Sequence, residues 1–271
     1  MFLYRLDNEV IFKKAFTDKL VFTQFVKDVI GIDIIVKKIE TEKRFKPQIA
    51  YIDFAYDIFA QSKDSRVIVE IQRVNYDYNF DRFLHYHLMA IAQLQRGANG
   101  YKIKPKVYTI VVLTAPSLIE DDEGQTVKDD ILISDVTPRN RKGQIVKFYG
   151  HHLIFLNPHF KNDDTPPQIK DWFDLILESI SHPDNPKINL QNQAIKKAAE
   201  LIEDDNLTPE VRKASKVAFA TEETRKIVEK RILHEGKMEI AKNMMSKEFD
   251  VQTISEITGL DVETLNQLGT E

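Results

Sequence analysis

The sequence predicts an α/β fold, in which a mixed β-sheet is flanked by helices and followed by an α-helical C-terminal extension. Three observations lead to this prediction. Apolar residues recur at helical spacing over residues 8–30 and 78–96. Short apolar runs typical of buried strands occur at residues 67–71 and 107–113. The C-terminal part of the chain is polar, helical in propensity and almost free of strand signals.

The core elements are predicted in the order α-β-β-β-α-β. Gly31 ends the first helix, and Asn79 or a neighbour caps the second. A polar turn at residues 61–65 can close a hairpin between the second and third strands. Because strands alternate with helices, we expect a mixed sheet with helices packed on its faces. The predicted ranges are 8–30 and 78–96 for the helices, and 34–40, 52–57, 67–72 and 107–113 for the strands.

Fewer elements are predicted between this core and the C-terminal region. Trp172, the only tryptophan, lies in a predicted helix and is interpreted as a packing residue. Residues 181–186 contain two prolines and break the chain, so we place the domain boundary after residue 181. The further elements are a hairpin of residues 131–134 and 146–149, a strand at residues 153–156 and a helix at residues 169–180.

Composition limits the class of protein. The chain has 271 residues, and its hydrophobic content of 42% is ample for a large core. No apolar run approaches the length of a membrane span, and the charged N-terminus lacks a signal-peptide core, so we expect a cytoplasmic protein with no membrane partner. Without cysteine there is neither a disulfide nor a thiolate zinc site. With a net charge of −4, any DNA contact must come from a local basic surface.

Acidic residues in the predicted hairpin are the strongest sign of chemistry. Glu70 interrupts a run of β-branched residues, and a carboxylate in such a run is costly to bury unless a positive charge compensates it. Asp53 and Asp57 lie on the preceding strand and share a face, as do Glu70 and Gln72 on theirs. Hard divalent cations prefer oxygen ligands, so a Mg²⁺ or Mn²⁺ ion held by two carboxylates is the simplest compensation.

These residues resemble a known signature. Asp53 followed by Glu70, Ile71 and Gln72 is similar to the PD-(D/E)XK nuclease motif, in the variant that ends in Gln. The resemblance is closest to the transposase-associated nucleases of this superfamily, also called recombination-promoting nucleases. Further segments that resemble this family are residues 8–16, residues 80–87 with Gln93 and Gly97, residues 240–245 and residues 257–260.

The resemblance implies a restriction-endonuclease-like core in residues 1–181, followed by a helical region in residues 182–271. It also implies a metal-dependent endonuclease that hydrolyses DNA and is associated with mobile elements or recombination. The alternative is a catalytically silent protein of the same fold that binds DNA or a protein partner. The intact acids favour the enzyme, whereas Gln72, a neutral residue in place of the motif lysine, favours the silent protein.

The resemblance assigns the acids as metal ligands. Asp53 and Glu70 are the expected ligands, since their separation resembles the wider nuclease pattern, and Asp57 stays an alternative because sequence cannot determine the hairpin register. Gln72 is expected to act beside them. Glu9, on the first helix, is either a further ligand or an ordinary acid favoured by the helix dipole.

Polar residues of the second helix are candidates for substrate binding. Arg82 and Tyr86 are four residues apart and share a helix face, to which Gln93 returns three turns after Arg82. Such a face beside a metal site can hold phosphates or position water. Three basic clusters could also contact DNA, and we expect at most one to line the substrate groove: the cluster of Lys43, Arg44 and Lys46, that of Arg139, Arg141 and Lys142, and that of Lys102, Lys104 and Lys106.

The C-terminal residues 238–268 suggest a helix, a turn and a helix. Asp250 and Asp261 are predicted caps, with Gly259 in the turn. A helix-turn-helix that reads DNA is one interpretation. The candidate recognition helix, residues 262–268, has no basic residue, and phosphates repel an acidic helix. This favours the other interpretation, a packing role or homo-oligomerisation through the C-terminal helices.

Overall fold

The computed structural model describes residues 1–44, 55–73, 79–94, 104–115, 119–121, 123–146 and 149–268. The chain forms two compact units, Met1–Ser215 and Lys216–Glu271. This division comes later than the predicted boundary after residue 181. Two contacts explain the difference: Leu3 pairs with Glu203 in a β-bridge, and the helix Gln193–Ile202 buries its apolar face in the main core.

The first unit contains a six-stranded mixed sheet. In the order of their pairing, the strands are β1 (Ile39–Arg44), β2 (Ala55–Gln61), β3 (Ser65–Gln72), β4 (Lys106–Leu113), β8 (His152–Leu156) and β7 (Ile131–Asp135). β3, β4 and β8 are parallel, whereas β1, β2 and β7 join by antiparallel pairing. β5 (Ile119–Glu120) and β6 (Thr126–Val127) form a separate small ribbon. The mixed sheet and the β2–β3 hairpin confirm the predicted core.

The helices of this unit lie before, between and after the strands. They are α1 (Glu9–Phe16), α2 (Lys19–Ile30), α3 (Asn79–Ala92), α4 (Pro167–Ser181) and α5 (Gln193–Ile202), followed by the start of α6 (Pro209–Met245). The single helix predicted at residues 8–30 is wrong, since α1 ends at Phe16 and a second helix follows. Asp18 causes the break, because its side chain accepts hydrogen bonds from the backbone N–H groups of Leu20 and Val21 as an N-cap.

Two strand predictions also need correction. The first strand starts at Ile39 instead of residue 34, and it extends past the predicted end at residue 40 to include Lys43 and Arg44. In the described residues, 131–134 do not pair with 146 or 149, and β7 pairs with β8 instead; residues 147 and 148 lie outside the description. β8 is the better partner, since its apolar residues are buried and it also pairs with β4.

The core lies on both faces of the sheet. On one face α1, α2, α4 and α5 form the larger cluster, in which the rings of Phe25 and Trp172 meet at 5.2 Å. The Trp172 indole N–H donates to Asp28 Oδ2 at 2.8 Å, which confirms its packing role. On the other face, α3 buries Phe83 and Ala90 against β2, β3, β4 and β8. The sheet is therefore covered by helices on both faces.

The second unit is helical. It contains the C-terminal part of α6, then α7 (Val251–Thr258) and α8 (Val262–Leu268), around a small core that includes Ala241, Ile254 and Leu265. Asp250 and Asp261 accept hydrogen bonds from the N–H groups of Thr253 and Thr264, which confirms both predicted caps. Gly259 ends α7 with a left-handed φ of 66°. Among the residues described, no helix is long and apolar enough to cross a membrane.

His87 is a buried histidine that links α3 to the sheet. It is 2% exposed, and its Nδ1 lies 2.9 Å from Thr109 Oγ1 on β4. Burial, with the nearby charges of His151 and His152, lowers the pKa of His87 to about 4. The folded protein therefore disfavours the protonated ring.

Substitution His87→Gln should reduce the loss of stability in acid. Because the pKa of His87 is lower in the folded state, its contribution is intact above pH 6.5 and is lost as pH falls towards 4. Between pH 7.5 and pH 5.0 we expect the wild type to lose about 2 kcal/mol more unfolding free energy than His87→Gln. Urea titrations at both pH values measure this, with the exposed His234→Gln as control. Equal losses in wild type and His87→Gln would contradict the prediction.

Candidate metal centre

Glu70 is the centre of the site. It lies in β3, next to β2 and β4, and is 3% exposed. The paired residues of β2 and β3 run from Gln61 with Arg66 to Ile58 with Val69. Beyond that pair, Asp57 N–H donates to Glu70 Oε1 at 3.2 Å, and Ile71 N–H donates to Asp57 Oδ2 at 3.0 Å. The two carboxylates therefore hold β2 to β3 through backbone N–H groups.

Asp57 also belongs to a cluster of three acids. Glu9 from α1, Glu42 from β1 and Asp57 each offer a carboxylate oxygen, and these oxygens lie within 4.8 Å of one another. The Glu9 and Glu42 side chains are 56% and 54% exposed, whereas that of Asp57 is 17% exposed. The cluster thus has one inner acid, which adjoins Glu70, and two outer acids open to solvent.

Glu42 has an unusual backbone conformation. Its φ is 51°, in the left-handed region that residues other than glycine rarely adopt. Because Thr41 pairs with Ile58 and Lys43 pairs with Tyr56, Glu42 lies opposite Asp57 in the ladder. Strain of this kind costs on the order of 1 kcal/mol and tends to occur at functional sites.

Lys13 contacts all three acids of the cluster. Its ammonium lies 3.3 Å from Asp57 Oδ1 and donates hydrogen bonds to Glu9 and Glu42. The Lys13 side chain is only 13% exposed. Burial acts to lower the pKa of Lys13. The charge of Asp57 and the hydrogen bonds to Glu42 and Glu9 together raise it by more, so the net shift in the pKa is upward. Lys13 is therefore charged and held in place by the acids.

The carboxylates of Asp57 and Glu70 resist ionisation. Burial, followed by the negative charge of Asp57, raises the pKa of Glu70 well above its ordinary value, while Arg82 and Lys13 oppose the shift. Burial also raises the pKa of Asp57, against the charge of Lys13 and the Ile71 N–H. Two such carboxylates side by side require a nearby positive charge if both are to ionise.

Gln72 and Arg82 form the side of the site nearest α3. Gln72 is buried, and its Oε1 accepts a hydrogen bond from the Arg82 guanidinium. That guanidinium also lies over the rings of Phe83 and Tyr86, at 4.6 and 5.7 Å from their centroids. Arg82 Nε is buried and has no hydrogen-bond partner among the described residues. The structure thus brings Arg82 to Gln72 and to the side of Glu70.

A buried salt bridge fixes α1 against the end of β3. Arg73, which directly follows β3, lies 3.2 Å from Asp7, whose carboxylate also accepts two hydrogen bonds from Arg5. Asp7 precedes Asn8, the N-cap of α1. Asp7 is almost fully buried, so this connection sets the start of the helix that carries Glu9 and Lys13.

Comparison with protein families agrees with this geometry. Residues 8–230 match the family described as PD-(D/E)XK nuclease family transposase. The chain belongs to this family. Its six-stranded mixed sheet with flanking helices is accordingly a restriction-endonuclease-like fold. Searches of curated proteins and of solved structures give no significant match.

The C-terminal region matches a second family model. Residues 234–270 match the C-terminal HTH domain of the Rpn/YhgA-like nuclease family. This match supports the helix-turn-helix interpretation over the packing role that the missing basic residues favoured. Homo-oligomerisation through these helices stays a prediction.

The structure describes the positions of some of the predicted site residues and not of others. Asp53 and Lys46 lie outside the described residues, so the sequence-based preference for Asp53 is not tested, and of the two aspartates only Asp57 has a described position. Tyr86 is half-buried beside Arg82, and its carbonyl accepts a hydrogen bond from the Tyr56 hydroxyl. Gln93 follows α3, and its buried amide has no hydrogen-bond partner among the described residues.

The described members of the three basic clusters lie at one or the other end of the sheet. Lys43 and Arg44 pair with the start of β2, at the same end as Glu70 and Gln72. Lys106 begins β4, about 17 Å along the strand from the level of Glu70. The cluster that includes Arg139 follows β7, which ends opposite the start of β8 and therefore also lies at the far end. Among the described members of the three clusters, Lys43 and Arg44 therefore lie at the same end of the sheet as Glu70.

Sequence reasoning missed Glu42 and Lys13. Glu42 stands in a stretch of mixed acidic and basic residues, which gave no signal that it would face Asp57. Lys13 is four residues after Glu9, and this helical ion-pair spacing could have identified it.

The residues present fit a divalent metal ion of the hard type. The cluster offers only carboxylate oxygens, and Mg²⁺ and Mn²⁺ are normally bound by such ligands. Asp57 and Glu70 are the residues that would hold such an ion most deeply, with Glu9 and Glu42 at its open side. A divalent ion would also supply the charge that allows both buried acids to ionise.

Substitution Glu70→Gln should stabilise the fold in the presence of a chelator. The pKa of Glu70 is raised in the folded state, so the fold loses stability as pH rises above the ordinary carboxyl pKa, and the loss stops growing once pH passes the raised pKa. Removal of the charge should raise the unfolding free energy at pH 8 by about 1 kcal/mol or more. Urea denaturation in EDTA measures this, with Glu123→Gln, an exposed acid, as matched control. A destabilised Glu70→Gln would show that the ionised carboxylate is already fully compensated.

Proposed function

We propose that this protein is a metal-dependent DNA endonuclease that hydrolyses phosphodiester bonds in connection with mobile elements or recombination. The observation that carries the proposal is the hydrogen bond from the Asp57 backbone N–H to the Glu70 carboxylate, which joins two residues with largely buried acids at one end of a nuclease-family sheet. Mg²⁺ or Mn²⁺ is the proposed cofactor. Binding of an ion explains why the fold retains two acids whose ionisation it otherwise opposes.

The reaction requires charge at the site. In hydrolysis, a water oxygen forms a bond to phosphorus, the bond from phosphorus to one ester oxygen breaks, water loses a proton to solvent, and the leaving oxygen gains one. A bound divalent ion would make water more acidic and neutralise charge on the phosphate. Asp57 and Glu70 would hold the ion, with Glu9 as a further ligand. Arg82 orients Gln72 beside them by donating a hydrogen bond to its amide oxygen.

Substrate contacts are proposed on the same side. Tyr86 follows Arg82 along α3, and Gln93 comes directly after the helix. The buried amide of Gln93 has no hydrogen-bond partner among the described residues. Arg44 lies at the site end of β1, and Lys46 follows it. The C-terminal HTH domain would supply additional contacts to DNA.

Cleavage of supercoiled plasmid tests the proposal. With Mg²⁺ or Mn²⁺ the wild type should nick or linearise the plasmid. Removal of a metal ligand should slow cleavage more than removal of a residue that only orients a ligand. Glu70→Gln and Asp57→Asn should therefore lower the cleavage rate at least about 100-fold. Asp64→Asn, in the hairpin turn at the other end of the same strands, is the matched control and should cut normally.

Asp53→Asn distinguishes the two aspartates. If Asp57 is the ligand, Asp53→Asn retains most of the activity, whereas the opposite pattern would restore Asp53 as the ligand. A wild type that binds DNA but leaves the plasmid intact with either metal would refute the enzyme and establish the silent binding protein.

A further inference from the structure

We propose that Lys13 of α1 is the positively charged catalytic residue of this site, acting from the opposite side to Gln72. This inference rests on the proposed function. The observation behind it is that one ammonium contacts carboxylates from three separate elements: Glu9 on α1, Glu42 on β1 and Asp57 on β2.

The position of Lys13 is specific. A surface lysine usually keeps its ammonium in water, but the Lys13 side chain is only 13% exposed and ends among the acids. The preceding turn carries Glu9 at i−4, so the helix itself directs the two side chains together. Lys14, the next residue, is about 100° further round the helix and provides a natural comparison.

Gln72 and Arg82, the other polar residues described beside the acids, are not suited to supply this positive charge. Gln72 is neutral, and its amide oxygen is engaged by Arg82. Arg82 is charged, but its guanidinium is bonded to Gln72 and packed over Phe83 and Tyr86. Phosphoryl transfer develops negative charge on the phosphate oxygens, and its stabilisation requires a cation fixed at that point. Among the described residues, Lys13 offers an ammonium that contacts all three acids of the cluster.

Lys13 and a divalent ion share the same carboxylates. A cation that enters the cluster must therefore displace the ammonium from at least some of these acids. The four-carbon side chain then leaves the ammonium beside the ion, within reach of a phosphate that bridges them. There Lys13 stays protonated and donates hydrogen bonds to a phosphate oxygen, with no proton transfer.

This role predicts opposite effects on metal binding and on cleavage. Removal of a competing cation should strengthen Mn²⁺ binding, because like charges within a few ångströms repel. The same removal should slow cleavage, because the phosphate loses a charged partner. A lysine that only holds the acids in place would instead affect both properties in the same direction.

The experiment compares Lys13→Met with Lys14→Met in the full chain. Calorimetric titration with Mn²⁺ should give a Kd for Lys13→Met at least about threefold lower than that of the wild type. Plasmid cleavage at saturating Mn²⁺ should fall at least about 100-fold. Lys13→Arg, which keeps the charge, should retain cleavage within about tenfold. Lys14→Met should match the wild type in both measurements.

Lys13→Gln replaces Lys13→Met if the latter fails to fold, since its amide still donates hydrogen bonds to the acids. Weaker Mn²⁺ binding together with slower cleavage would overturn the inference and leave Lys13 a structural residue. Cleavage by Lys13→Met at the wild-type rate would also overturn it, while the proposed function stands. A wild type that does not cleave would remove the proposed function, and this inference with it.

Discussion

The burial of Glu70 within the sheet is the constraint on which the rest of the site depends. A carboxylate between two paired strands loses its water, and the fold compensates with the Asp57 N–H, the charge of Arg82 and, further away, that of Lys13. These three interactions together do not cancel the upward shift in the pKa of Glu70. A site that binds a divalent ion benefits from this arrangement, because the acids are already placed and the ion supplies the missing charge.

Helix α1 is positioned by polar contacts as well as by its apolar face. Phe12 and Phe16 bury one side of the helix in the main core, while Asp7 ties its start to Arg73 at the end of β3. The helix therefore brings Lys13 to Asp57 with little freedom to shift. The same connection joins the first helix to the strand that carries Glu70, although more than 60 residues separate them in sequence. The salt bridge between Asp7 and Arg73 thus helps to hold Lys13 beside Asp57.

Much of the fold was predictable from sequence, because apolar periodicity records which faces are buried. The β2–β3 hairpin, β4 and α3 followed from that signal. The break between α1 and α2 did not, because one N-cap at Asp18 overrides a continuous apolar pattern. In the site, Glu70, Gln72 and Arg82 were predictable from the motif and from helix spacing. Glu42 was not, since its approach to Asp57 depends on strand register and on a left-handed backbone that no sequence pattern signals.

The central claim is that Asp57 and Glu70 bind one divalent ion. Anomalous diffraction from crystals soaked in Mn²⁺ tests it most directly, because the manganese signal locates the ion without reference to activity. The account predicts a single strong peak, or a closely spaced pair, within roughly 2.0–2.6 Å of a carboxylate oxygen of each of these two residues. A peak bound by Asp53 in place of Asp57, or no peak beside Glu70 at saturating Mn²⁺, would contradict it.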